Sequence, residues 1–127
     1  ELAEPNSFAI PVSIAAYGQG AQWVAELRQV ITAHKKQLTE FVATELPQVH
    51  VITGHATYLM WLDVSAVTAN AAELAVFLQQ QTGLIIADGN AYGPNGKAFI
   101  RISVACPTAE LTDGLTRLKN GITAFQK

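Results

Sequence analysis

Between Gln22 and Leu46 the apolar residues Trp23, Leu27, Val30, Ile31, Leu38, Phe41, Val42 and Leu46 recur at intervals of three and four, with only His34 bridging one gap. Such spacing lines one face of a 3.6-residue period and predicts a long amphipathic helix. Pro47 ends it, because the ring removes a backbone donor and clashes with the preceding turn. The short β-branched run Val49 to Ile52, a turn at Gly54 and His55, and the run "TYLMWLDV" from Thr57 to Val64 predict a hairpin. Asn70 and Glu73 have the spacing of a capping box, in which each side chain satisfies a backbone N–H of the first turn. A helix over 71–81 follows, with Leu74, Phe77 and Leu78 as its stripe and Gly83 as a left-handed C-terminal cap.

Leu84 to Ala87 reads as a short buried strand, Asp88 to Gly96 as a loop, and Ala98 to Ala105 as the last strand. Thr108 then caps a final helix whose face is Leu111, Leu115, Leu118, Ile122 and Phe125. Gly114 and Gly121 each cost that helix about 1 kcal/mol relative to alanine, so tertiary packing must hold it. The succession helix, strand, strand, helix, strand, strand, helix predicts an α+β fold: a small, mostly antiparallel sheet of about four strands covered on one side by helices. No phosphate-binding turn follows the first strand, which excludes a dinucleotide-binding α/β domain.

Composition narrows the function classes. Half of the 127 residues are apolar and only 14% are charged, against roughly 25% charged in ordinary soluble domains. A formal net charge of −2 and no basic cluster larger than Lys35 and Lys36 argue against nucleic-acid binding. No apolar run approaches the roughly 20 residues of a membrane span, and a cytoplasmic location is the expectation. Cys106 is the single cysteine, so an internal disulfide and an all-cysteine metal site are excluded. The opening "ELAEPNSFAIPVSIAA" lacks an initiator methionine and runs straight into hydrophobic sequence, as in a chain cut from something longer.

Arg101 is the residue that most needs an explanation. Strand alternation places Phe99, Arg101, Ser103 and Ala105 on one face and the apolar Ile100, Ile102, Val104 and Cys106 on the other. The second face is the core; Arg101 lies opposite, where its planar fork either pairs with an Asp or Glu, runs along the surface, or meets an anionic ligand. His34, His50 and His55 have no metal-ligand spacing. Asp63 and Asp88 read as turn or cap residues, and Cys106 as a structural thiol. The short runs "GQG" at Gly18 to Gly20 and "GPNG" at Gly93 to Gly96 fit turns rather than phosphate cradles.

Taken together, "EPNSFAIPVSIAAYGQGAQWVAEL", "ATYLMWLDV" and "GLIIADGNAYGPNGKAFIRISVACP" resemble the carboxy-terminal part of pyridoxal-phosphate (PLP) enzymes of the aminotransferase class I and II group. The similarity is greatest to the cystathionine β-lyase-like C–S lyases and extends from about Glu4 to Phe125. It implies the small domain of a fold-type I PLP enzyme, with residues 1–20 as an interdomain segment, 21–127 as the small domain, and the cofactor-binding large domain absent. It also implies that Arg101 holds the α-carboxylate of an amino-acid substrate such as cystathionine or cysteine, either for elimination of a sulfur substituent or for transfer of the amino group. None of the five lysines, Lys35, Lys36, Lys97, Lys119 and Lys127, stands in the context of the family's cofactor lysine, so PLP is expected in the full-length enzyme and not on this chain. Tyr92 stands where phenylalanine is common and Ser103 where asparagine is common. In the family the first segment, Phe8 to Tyr17, and one face of the small domain pack against the large domain, which implies uncovered apolar side chains here and a homo-oligomer. A non-catalytic carboxylate-binding module and a self-associating interaction module are the alternatives.

Overall fold

The computed structural model describes residues 5–127. The chain divides into two compact units, up to Thr32 and from Ala33 to Lys127. In the first, helix α1 (Ala9–Gln19) precedes the start of α2 (Ala21–Glu45). Helix α1 is absent from the sequence expectation, and the reason is physical: none of its residues is buried, so no apolar stripe betrays it. Pro11 falls in its first turn, where an amide N–H has no helical partner to lose.

The second unit contains the remainder of α2, strands β1 (His50–Ile52) and β2 (Leu59–Asp63), helix α3 (Ala71–Thr82), strands β3 (Ala87–Asp88) and β4 (Phe99–Ser103), and helix α4 (Thr108–Phe125). The four strands form one sheet in the order β1-β2-β4-β3, every pair antiparallel. The α+β expectation is met. In the central pair Met60, Leu62 and Ile100 face the core, where they are buried with Leu38, Val42 and Leu46 of α2, Leu74 and Leu78 of α3, and Leu111, Leu115, Leu118 and Ile122 of α4. The opposite face carries Leu59, Trp61 and Asp63 of β2 beside Ser103, Arg101 and Phe99 of β4.

Three local expectations need correction. Only Ala87 and Asp88 pair with β4; Leu84 to Ile86 are not in a strand, and Ile85 is 76% exposed. This run lies at the sheet's edge, not in its interior. Asn70 and Glu73 do not cap reciprocally: the Asn70 amide donates to Glu73 Oε1 at 2.8 Å, and no side-chain bond from Asn70 reaches the helix backbone. Thr108 opens α4 as its first residue, after Pro107. Its hydroxyl is taken by His34. Gly83 does take the left-handed conformation, φ 72°, that ends α3.

His34 is the single polar residue fully within the described core, 3% exposed. Its Nδ1 lies 2.9 Å from the Val104 carbonyl and its Nε2 3.0 Å from Thr108 Oγ1. A carbonyl only accepts, so Nδ1 carries a proton, and in the neutral ring Nε2 accepts from the threonine hydroxyl. The ring therefore ties α2 to the end of β4 and the start of α4. Replacement by Ala removes both bonds, strands a buried carbonyl and opens a cavity; the His34→Ala variant is expected to lose about 2–4 kcal/mol in urea unfolding.

Candidate active site on the open face of the sheet

The site is built on the sheet face that the helices leave open. Arg101 is the middle residue of β4, with Trp61 as its cross-strand partner on β2 and Ala87 on β3. Its stem is fixed by the central strand, and the residue is half-buried. The guanidinium carbon stands 4.4 Å from the centroid of the Tyr92 ring, a cation–π contact of about 0.5–2 kcal/mol. Trp61 meets the same ring edge-on at 5.3 Å, and meets Phe99 at 6.2 Å. Among the described residues the ion pairs join Lys36 to Glu40, Arg117 to Asp113 and Lys119 to Glu45. Arg101 has no carboxylate partner among them.

Tyr92 owes its place to the turns between β3 and β4. The run Gly89–Tyr92 is a 3-10 turn, opened by Asp88, whose carboxylate accepts from the Asn90 N–H at 3.0 Å. A second such turn, Pro94–Gly96, follows. The two touch backbone to backbone at Gly89 and Gly96: a Cβ on either glycine would collide with the other's carbonyl. Asp88 is thus a turn-former, as expected, and the loop is a rigid double turn rather than slack chain.

Beside the Tyr92 ring lies a cavity of about 270 Å³ lined by Ile52, Trp61, Tyr92, Asn95, Gly96 and Phe99. Its walls are mostly apolar. A larger groove of about 430 Å³ runs along Ala72, Glu73, Val76, Phe77, Gln80 and Phe125; its one charged group, Glu73, already accepts from Asn70. The first cavity shares Tyr92 with Arg101, a cation that has no ion pair among the described residues, and the second has no such neighbour, so the sheet face is the candidate.

The remaining polar residues do not join Arg101 in an acid–base pair. Bonds from the Ser65 hydroxyl and backbone N–H, with a smaller contribution from His50, hold the Asp63 carboxyl below its ordinary value. It is an acceptor in a turn, as expected. Burial, and secondarily the charge of Glu110, pushes the Cys106 thiol up, which leaves little thiolate at neutral pH. Alkylation by iodoacetamide at pH 8 should run several-fold slower than that of free cysteine, and Glu110→Gln should speed it modestly; a faster-than-free rate would make Cys106 a reactive thiol instead.

Comparison with known proteins gives this arrangement a context. The family model for aminotransferase class I and II matches residues 6–118. The chain belongs to that family. It is 37% identical over 118 residues to the cystathionine beta-lyase PatB of Bacillus subtilis (strain 168), covering 93% of this chain and 30% of that protein. To the protein MalY of Escherichia coli (strain K12) it is 31% identical over 125 residues, 98% of this chain and 32% of that one. A PLP-bound protein of Clostridium difficile 630 assigned to the aminotransferases superposes with a TM-score of 0.88 at 29% identity, over 92% of this chain and 30% of that one. The chain thus spans about 30% of the length of the curated relatives it matches first. Relatives of both reaction types occur, lyases and aminotransferases, and the cofactor of this enzyme family is PLP.

Whether this chain's own residues could hold that cofactor turns on its lysines. A lysine that bonds to an aldehyde needs its pKa lowered by desolvation or a neighbouring cation. Lys35 reaches the carbonyls of Gly54 and Ala56, Lys36 and Lys119 are ion-paired, and Lys97 and Lys127 are exposed. None of the five fits that role. Tyr92 and Trp61 are the site residues that the sequence did not assign. An aromatic two residues before the "PNG" turn and a tryptophan alternating with core residues on β2 were the available signals.

Proposed function

We propose that this chain is the small domain of a PLP-dependent C–S β-lyase or aminotransferase, and that Arg101 binds the α-carboxylate of its amino-acid substrate. The observation that carries this reading is a half-buried guanidinium at the centre of a strand, stacked on an aromatic ring and lacking any carboxylate among the described residues. A planar fork offers a carboxylate two parallel N–H bonds, which fix both position and tilt. Holding the acid end in this way orients the bonds at Cα, and orientation decides which of them breaks. PLP, when bound, supplies the electron sink for that bond cleavage. Its lysine belongs outside these 127 residues.

Likeness to PatB and MalY favours elimination from a sulfur amino acid such as cystathionine or cysteine. The same reading takes the exposed Phe8, just before α1, and Ile10, Val12, Ile14 and Tyr17 of α1 as part of a contact with the large domain or with a second copy of the enzyme. No helix among the described residues is long and apolar enough to cross a membrane, which accords with a cytoplasmic enzyme. The test is an assay of the complete gene product with PLP. Release of pyruvate and ammonia from L-cystathionine or L-cysteine is expected; a product that neither takes up PLP nor acts on any amino acid would refute the reading.

A further inference from the structure

We infer that Tyr92 is a positioning residue for Arg101: its ring holds the guanidinium in the pose that receives a carboxylate. The inference rests on the carboxylate-binding reading and adds to it a second residue. An arginine side chain has four flexible bonds, and freezing them on binding costs affinity unless the free protein has already done so. Here the guanidinium lies over the Tyr92 ring at 4.4 Å. The ring face offers no acceptor oxygen, so this contact leaves the guanidinium's paired N–H donors available for a carboxylate.

The ring is itself held. Trp61 packs against it edge-on at 5.3 Å, and Trp61 is also the cross-strand partner of Arg101. The double turn locked at Gly89 and Gly96 fixes the backbone that presents it. Tyr92 is nevertheless 49% exposed, so its side chain contributes little to the core. An aromatic ring kept at a half-exposed site over a cation with no ion pair among the described residues has pre-ordering as its physical effect.

The test compares Tyr92→Leu, Tyr92→Gln and Tyr92→Phe with Arg101→Ala in the complete PLP-loaded enzyme, using L-cystathionine as substrate and propionate, which has no amino group, as an inert carboxylate inhibitor. Tyr92→Leu and Tyr92→Gln are expected to raise KM and the propionate inhibition constant together, about 5–10-fold, with kcat within about 3-fold. Tyr92→Phe should stay within about 2-fold of the parent, since the ring is what stacks. If the Leu and Gln variants match the parent while Arg101→Ala loses carboxylate binding, the inference fails and the carboxylate reading stands. If Tyr92→Phe is as impaired as Tyr92→Leu, the hydroxyl rather than the ring matters and the inference fails. If Arg101→Ala also leaves propionate inhibition unchanged, the carboxylate reading itself is wrong.

Discussion

Replacing Arg101 with alanine in the complete enzyme is expected to lower kcat/KM for its amino-acid substrate by about 100–1000-fold, equivalent to about 3–4 kcal/mol. That is the range for deleting one member of a hydrogen-bonded charge pair taken out of water. Lysine restores charge but not the two-point fork, so Arg101→Lys should recover less than a tenth of the loss. The effect should fall on substrate handling and spare the fold. Among the described residues Arg101 has no ion pair to break, and its stack on Tyr92 accounts for at most about 2 kcal/mol. Steady-state kinetics read beside a thermal melt separate the two effects. A collapsed melting temperature with kinetics unchanged per folded molecule would make Arg101 structural.

The second large effect lies in the double turn. Gly89→Ala and Gly96→Ala each place a methyl group against the facing carbonyl, and a backbone oxygen in a locked turn cannot swing aside as a side chain can. Each is expected to cost about 3 kcal/mol or more in urea unfolding, or else to force the turns apart. In the second case Tyr92 leaves Trp61, and the near-ultraviolet circular dichroism of the aromatic pair should fall. Gly54→Ala is the control, because nothing lies within 4 Å of the Cβ it would add; it should change stability by no more than about 0.5 kcal/mol.

How much of this was legible in the sequence depended on whether a residue faced the core. Helices α2, α3 and α4 and strands β2 and β4 announce themselves because Leu38, Leu62, Leu74, Ile100 and Leu118, all buried, recur at the period of their element. Helix α1 has no buried side and therefore left no periodic signal. Periodicity put Arg101 on the open face but could not choose between a protein carboxylate and a ligand, since the sequence does not say which acids come near. The family resemblance suggested the ligand, and the geometry supports it by placing no described acid beside the guanidinium. His34 was visible as a gap in an apolar stripe, yet its partners Val104 and Thr108 are about seventy residues away in sequence. Gly121 showed only as a helix penalty; a Cβ there would strike the Leu78 side chain, so its absence lets α3 and α4 approach. In the sequence Tyr92 looks like no more than a replacement for a common phenylalanine, because nothing local marks a ring that is used by a residue nine positions on.

The most direct test is a crystal structure of the complete, PLP-loaded enzyme with an unreactive amino-acid analogue that retains its α-carboxylate. Both terminal nitrogens of Arg101 should lie about 2.7–2.9 Å from the two carboxylate oxygens, with Tyr92 still beneath the guanidinium. A carboxylate held by other groups, with Arg101 turned to solvent or paired with an acid of the protein, would contradict the account.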